Sequence, residues 1–504
     1  MVSARLTKGV AGVIAVAIAL SACGGDDDAA SASTGTEAAT TVASTTEAAT
    51  GSTAAPASST GAPATTEAAT AGAGDDGVRE VPAEYPTIQA AVDAAAEGDL
   101  VLVAPGVYNE AVDVVTDNLT IRGLDRDGVV LDGRLELDNG IRVLGASGVV
   151  VENLTARNYT ANGVFFTGTT GYRASFVTTY RTGDYGVYAF DSTKGQIDNS
   201  HTVGSRDGGV YVGQCYPCDA LIDRVLSEHN GLGYSGTNSG GNLLIVNSTF
   251  RNNRAGIVPN SGSYELCYPE RETTIVGNLV YSNNQTDTPA IDVALLAQGN
   301  GILLPGGVRN LVSRNRVFDH NRTGIGLVPF LEEDPNDDLP TPEEWSTPCA
   351  EQKTQVPATP SGALLWNAYE NEVTGNVVSD SREADLAVAS AGEDIATFRN
   401  CFAANEFATS APLDLQALAP CDATSSGGDW TAGDLNVARW VGEMASLPGE
   451  VDWKRAPLPE LGAHANMPDP ATSGDAQVRT GHRASERYTS VSRYRSVLHE
   501  PAST

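Results

Sequence analysis

Two aspartates and three aromatic residues recur at one interval in the middle of this chain. Asp184 and Asp207 are 23 residues apart, as are Phe165 and Tyr188, and Tyr188 and Tyr211. If that interval is one turn of a repeating structure, each set stacks about 4.8 Å apart, the spacing of neighbouring strands. Carboxylates that close disturb each other's ionisation, leaving one protonated as an acid and the other ionised as a base. The same pair could supply oxygen ligands to Ca²⁺, although the sequence calls for no metal or cofactor. Asp shortly before Gly is also a common turn residue, bonding its own backbone, and that structural reading stands beside the catalytic one. Arg181 and Arg206 lie close in sequence, with His201, Glu228 and His229 nearby. Arg181, Arg206 and His229 therefore join Phe165, Tyr188 and Tyr211 as candidate ligand contacts. An outward column of aromatic rings suits sugars, stacking on their apolar faces while phenolic hydroxyls hydrogen-bond. The competing reading is a stack that only stiffens a sheet or lies beneath a loop.

The positioning elements follow from the same period. Gly163, Gly186, Gly209, Gly233, Gly256, Gly301 and Gly324 are spaced by 23, 23, 24, 23, 45 and 23 residues, and each opens a short β-prone run. A fixed period of this length marks a solenoid. The Leu-x-x-Leu-x-Leu frame of leucine-rich repeats is missing, and each unit holds several short runs broken by Gly, Asn, Asp and Ser. This predicts an all-β fold, a parallel β-helix whose coils are strands joined by turns. In each run the first residue after Gly should point inward and the second outward. The 45-residue step should be one coil carrying loops around Ser261–Glu272 and Thr286–Gln298, and a further large loop is expected near Glu332–Pro360. Asn153, Asn199, Asn247, Asn278, Asn315, Asn376 and Asn405 recur at a similar place, which predicts one ladder of amides bonded from coil to coil.

At the N-terminal end, Ile88, Ala91, Val92 and Ala95 fall at helical spacing. A helix there would cap the open end of the solenoid. The stretch YPTIQAAVDAAAEGDLVLVAPGVYNEAV resembles the opening of the pectin-lyase-like superfamily, over roughly residues 84 to 125. Beyond it only the coil pattern continues, to about residue 410. The resemblance implies a right-handed parallel β-helix and, as a tendency of the class, a carbohydrate ligand. It carries no activity with it. The Gly-Tyr-Gln-Asp and Asp-Phe-x-Phe-Gly motifs of methylesterases are missing, as are the Asn-Thr-Asp, Asp-Asp and Gly-His-Gly set of polygalacturonases. The Asp-Pro-His motif of alginate epimerases and the Arg-x-Pro-x-x-Arg pattern of pectate lyases are missing too. What remains resembles β-helix-repeat lipoproteins of undefined role.

Composition sets the surroundings. Arg5 and Lys8 precede an apolar run, Gly9 to Leu20, too short to span a bilayer. Leu20-Ser21-Ala22-Cys23 then resembles a lipobox, so residues 1–22 are expected to be a lipoprotein signal peptide and Cys23 the lipidation site. Residues 23–77 contain no Lys, Arg or aromatic residue and read as a disordered tether. The β-helix is assigned to 78–430, a C-terminal cap and Pro-rich segment to 431–478, and a mobile Arg-rich tail to 479–504. Val437–Met444 should be a short helix closing the solenoid, with Trp453 anchoring the Pro-rich segment. A net charge of −32 argues against nucleic acid as a partner and makes polyanions awkward ligands. With Cys23 acylated, six cysteines remain, and Cys215–Cys218, Cys267–Cys349 and Cys401–Cys421 are the expected pairs for an oxidising compartment. The chain is thus expected to be a monomer tethered to the outer side of a cell membrane. Three roles stay open: a polysaccharide-binding module, a polysaccharide-cleaving or epimerising enzyme using Asp184 and Asp207, and a protein-interaction scaffold.

Overall fold

The computed structural model describes residues 77–468, except 263–264, 333–340, 343, 353–363, 391, 423–427, 445 and 448–450. The expected signal peptide, Cys23, the expected tether and the expected Arg-rich tail lie outside the described residues, as does most of the expected loop near Glu332–Pro360.

Among the described residues from Val78 to Ala411 the chain winds through parallel strands gathered in two sheets, one of twenty strands and one of eleven, with one antiparallel pair, Phe330–Glu332 and Leu364–Trp366, beside them. The short sheet takes one strand from each coil. Its inward column runs Val164, Val187, Val210, Tyr234, Ile257, Ile302, Ile325 and Leu386, all sealed from solvent. β-Branched side chains suit this stacking, and burying each one fully stabilises the fold by about 1.5–3 kcal/mol. The alternation sends the next residue of each strand outward, which orients Phe165 and Tyr188 as the glycine pattern predicts.

The long sheet takes two strands from most coils, joined by a tight bend. Here the seven asparagines divide into two columns instead of forming one. Asn278, Asn315, Asn376 and Asn405 form a ladder: each Oδ1 accepts the backbone N–H of the preceding member, and Asn405 ends on Gln416. Asn153, Asn199 and Asn247 sit one position earlier, at the left-handed residue of the bend, with φ of 59°, 51° and 48°. In those coils Ser200 and Ser248 occupy the ladder position and accept from Val177 and Val225. Asn serves both positions, because its amide can bridge coils and its backbone tolerates positive φ.

The capping helix spans Ile88–Ala94, with Ile88, Ala91 and Val92 buried. The Thr87 hydroxyl accepts from the Ala90 N–H, and the Glu110 carboxylate accepts from the N–H groups of Ile88 and Gln89. All three expected disulfides are formed, Cys215–Cys218, Cys267–Cys349 and Cys401–Cys421. They mark an oxidising, extracytoplasmic compartment. Among the described residues no helix is long and apolar enough to cross a membrane.

The 45-residue step does carry two insertions. The second folds into a helix, Asp292–Ala297, on the outer face of the short sheet. The helix Val437–Met444 exists as expected but packs there too, with Trp440, Ala294, Leu303 and Val328 in one apolar cluster. It covers a flank of the solenoid. The end is sealed by Leu415 and Trp430, which pack on the core beside Phe402.

Candidate functional site

The outward column of the short sheet, read coil by coil, changes character along the solenoid. It runs Asp113, Arg142, Phe165, Tyr188, Tyr211, Ser235, Val258 and onward. Val258 and Leu303 lie under the two helices just described. The open part of the column therefore runs from Asp113 and Arg142 to Phe165 and Tyr188.

Those rings are in contact. Phe165 stacks on Tyr188 with centroids 4.7 Å apart and planes 12° from parallel. Tyr185 stacks on Tyr188 at 4.4 Å, and Phe190 meets the same ring at 6.0 Å. All four residues are half-buried. Tyr211 stands in the column, edge-on to Tyr188, but is only 2% exposed. The insertion around Glu265 covers it: the Glu265 carboxylate accepts from the Tyr211 hydroxyl at 3.3 Å and from Gln214 Nε2 at 2.6 Å. Tyr211 thus lies beneath a loop, whereas Phe165 and Tyr188 remain half-buried.

Beneath the platform edge lie the aspartates. The Asp207 N–H donates to the Asp184 carbonyl at 3.0 Å, so the two do occupy adjacent coils. Asp184 is half-buried and Asp207 buried. Burial, reinforced by Asp184 and Glu265, pushes the Asp207 carboxyl up to about 7, against a hydrogen bond from Tyr185 and the charge of Arg206. Asp207 Oδ1 has no hydrogen-bond partner among the described residues. A carboxyl in this state is a proton carrier near neutral pH. Burial and the neighbouring acids also raise the Tyr185 hydroxyl well above its ordinary value.

Two of the expected ligand contacts lie elsewhere. The Arg181 guanidinium donates to the carbonyls of Trp453 and Ala456, so it fastens the C-terminal segment and does not face the platform. His229 sits at a left-handed turn, with Glu228, Asp287, Arg251 and His201 as its charged neighbours and burial lowering its pKa. Register along a strand is legible from spacing, but which flank a turn residue faces is not. Arg206 stays beside Asp207. Among the described residues no group of three or more His, Cys, Asp or Glu is arranged to hold a metal ion.

Tyr185, Phe190 and Glu265 were not singled out from the sequence. Phe190 was within reach, because strand alternation puts it on the same face as Tyr188. Tyr185 lies in a turn and Glu265 in an insertion, where periodicity says nothing. A smaller stack, Tyr281 on Phe318 at 5.0 Å, lies on the long sheet.

Residues 139–329 match the family model described as a right handed beta helix region. The fold is a right-handed parallel β-helix. Among solved structures it is similar to the A-module of a mannuronan C-5 epimerase of Azotobacter vinelandii, with 14% identity over 66% of this chain and 93% of that one, TM-score 0.42. It is also similar to an alginate lyase of a Paenibacillus species, with 15% identity over 67% and 96%, TM-score 0.32. A Geobacillus virus E2 protein shares 11% identity over 66% of this β-helix chain and 60% of its own, TM-score 0.41. No curated protein sequence matches the chain.

Proposed function

We propose that this protein is an exported, lipid-tethered β-helix that binds a glycan on the aromatic face of its short sheet. The observation that carries the reading is the continuous ring surface of Phe165, Tyr185, Tyr188 and Phe190, half-open on adjacent coils. Flat, partly wet rings backed by a rigid sheet suit pyranose faces, and a platform already in place loses little entropy on binding. The surrounding charge narrows the ligand. Asp113, Asp138, Asp184 and Glu265 outnumber Arg142 and Arg206, and Arg142 is already paired with Asp113 and Asp138. Uncharged or amino-bearing chains fit that field, and polyuronates do not. The anchor at Cys23 rests on the lipobox, and a monomeric state with no nucleic-acid partner on the acidic composition.

The test is retention of the full chain on a panel of neutral, amino-sugar and uronate polysaccharides, for wild type and Tyr188→Ala. Retention on a neutral or amino polymer that the variant loses supports the reading. Retention on none of them overturns it. A second reading, an acid–base enzyme acting on the same polymers, is favoured by the raised Asp207 and its unpaired Oδ1. It requires the ligand to reach an atom that is now sealed, so binding is the reading we prefer. Release of reducing ends that disappears in Asp207→Asn would reverse that preference.

A further inference from the structure

After the C-terminal end of the solenoid, residues 451–468 run back along its outside, toward earlier coils. The Trp453 ring lies over Gly183, so close that a methyl group there would touch it. Leu458 presses on Gly204, whose φ of +77° and missing side chain both permit the approach. Tyr180 donates to the Pro459 carbonyl, the Asn466 side chain accepts from the Arg126 N–H, and Asn153 Oδ1 accepts from the Met467 N–H. Polar clasps thus add to the packing of Trp453, Ala456 and Leu458 in holding this strap.

One clasp is a row of titratable groups. His464 Nδ1 meets Asp127 Oδ1 at 2.6 Å, His464 Nε2 meets His201 Nδ1 at 2.9 Å, and His201 Nε2 meets Glu228 Oε1 at 3.0 Å. Each hydrogen bond needs one proton. The two carboxylates accept, so the outer nitrogens carry protons, and the inner bond needs a third. The three bonds coexist only when the two rings share three N–H protons, one cation between them. Burial works to raise Glu228, but hydrogen bonds from His201 and Arg251 outweigh it and leave the carboxyl at about 2, ionised throughout the physiological range. Burial lowers His464, the Asp127 hydrogen bond opposing it, and the Arg126 charge adds to the lowering. The third proton is held in the inner bond, between His201 Nδ1 and His464 Nε2. The other charged groups facing the row are Arg251, behind Glu228, and His229.

We propose that the His201–His464 pair is a pH-operated latch on the strap, fastened by one shared proton and released by a second. A fourth proton places N–H against N–H and separates the rings. The sign follows from linkage. A released strap frees His464 to titrate near the ordinary 6.5, while the docked ring resists protonation. Below that pH protons favour release, and the docking constant falls by up to about tenfold per pH unit until the docked ring itself titrates; at higher pH, loss of the shared proton also weakens docking. The latch is independent of what the aromatic platform binds.

Amide hydrogen exchange of the full chain between pH 7.5 and 5, corrected for intrinsic rates, tests this. Exchange in residues 451–468 should rise severalfold to tenfold per unit below about pH 6.5, while the strands Val164–Thr167 and Val187–Phe190 keep their protection. In His464→Gln, whose side chain cannot take up the second proton, the rise below about pH 6.5 should vanish. An unchanged slope in that variant, or a flat wild-type profile, overturns the latch. If strand protection shows that His464→Gln is misfolded, NMR titration of the wild-type imidazoles decides. Coupled titration supports the latch, and two independent curves near 6.5 reject it.

Discussion

At the residue scale, Asp207 is the informative side chain, because its environment penalises the charge it would carry in water. Its carboxyl is displaced from the ordinary 3.8 to about 7 in the fold. Between those values the folded chain binds more protons than the unfolded one. The favourable contribution is therefore complete below about pH 4 and is lost as pH rises through 7. Asp207→Asn keeps the volume and the Tyr185 contact but cannot ionise. Thermal melts should show the variant equal to wild type near pH 4 and more stable at pH 8 by about 1–3 kcal/mol. Equal pH slopes in the two proteins would mean that Asp207 ionises freely. The sequence revealed that Asp184 and Asp207 stack, because a 23-residue interval fixes register. It could not reveal that Asp207 is sealed, since the groups around it, Tyr185 and Glu265, come from a turn and an insertion. Arg181 and His229 were misplaced for the same reason. Neighbours in sequence at a bend point to different faces.

At the element scale, the two asparagine columns predict different costs for the same substitution. Asn376 is fully buried, with its Oδ1 accepting from the Asn315 backbone and its Nδ2 donating to the Val312 carbonyl and Asn405. Asn376→Ala leaves those buried groups unpaired and should cost about 2–4 kcal/mol. Asn199 is half-buried at its bend, and its Oδ1 accepts from Arg224 at a solvent-exposed position. Asn199→Ala should cost about 1 kcal/mol or less, chiefly through its positive φ. Chemical denaturation of the two variants checks the ordering, and equal losses would put both residues in one ladder. The period exposed the coils and the inward column, while helical spacing marked the capping helix and the cysteine count suggested the disulfide pairs. It merged the two asparagine columns because they differ by a single position, and a one-residue offset disappears when insertions of different length separate the coils.

At the scale of the whole molecule, a solenoid stabilises itself chiefly through neighbouring coils, so it need not lose all its structure at once. The aromatic platform lies on coils between residues 160 and 213, which hold only the short Cys215–Cys218 link at their margin. The later coils carry the long insertions, tied by Cys267–Cys349 across 82 residues, and the terminal Cys401–Cys421 bond across 20. Bonds that close long loops remove the most freedom from the unfolded chain, about 3–5 kcal/mol each in the chain-entropy view. Reduction should therefore weaken the later coils selectively. Arg271 sharpens the expectation: fully buried, it donates to the carbonyls of Cys267, Pro269 and Thr347, so its hydrogen bonds depend on the insertions staying clipped together. After mild reduction, hydrogen exchange should rise first in strands from Arg271 onward and only later in Val149–Tyr159 and Val187–Phe190. The platform should then retain its ligand at reductant levels that already loosen the C-terminal half. Loss of protection along the whole solenoid in one step would show that the coils fold as one cooperative unit, with the disulfides stabilising all of it equally.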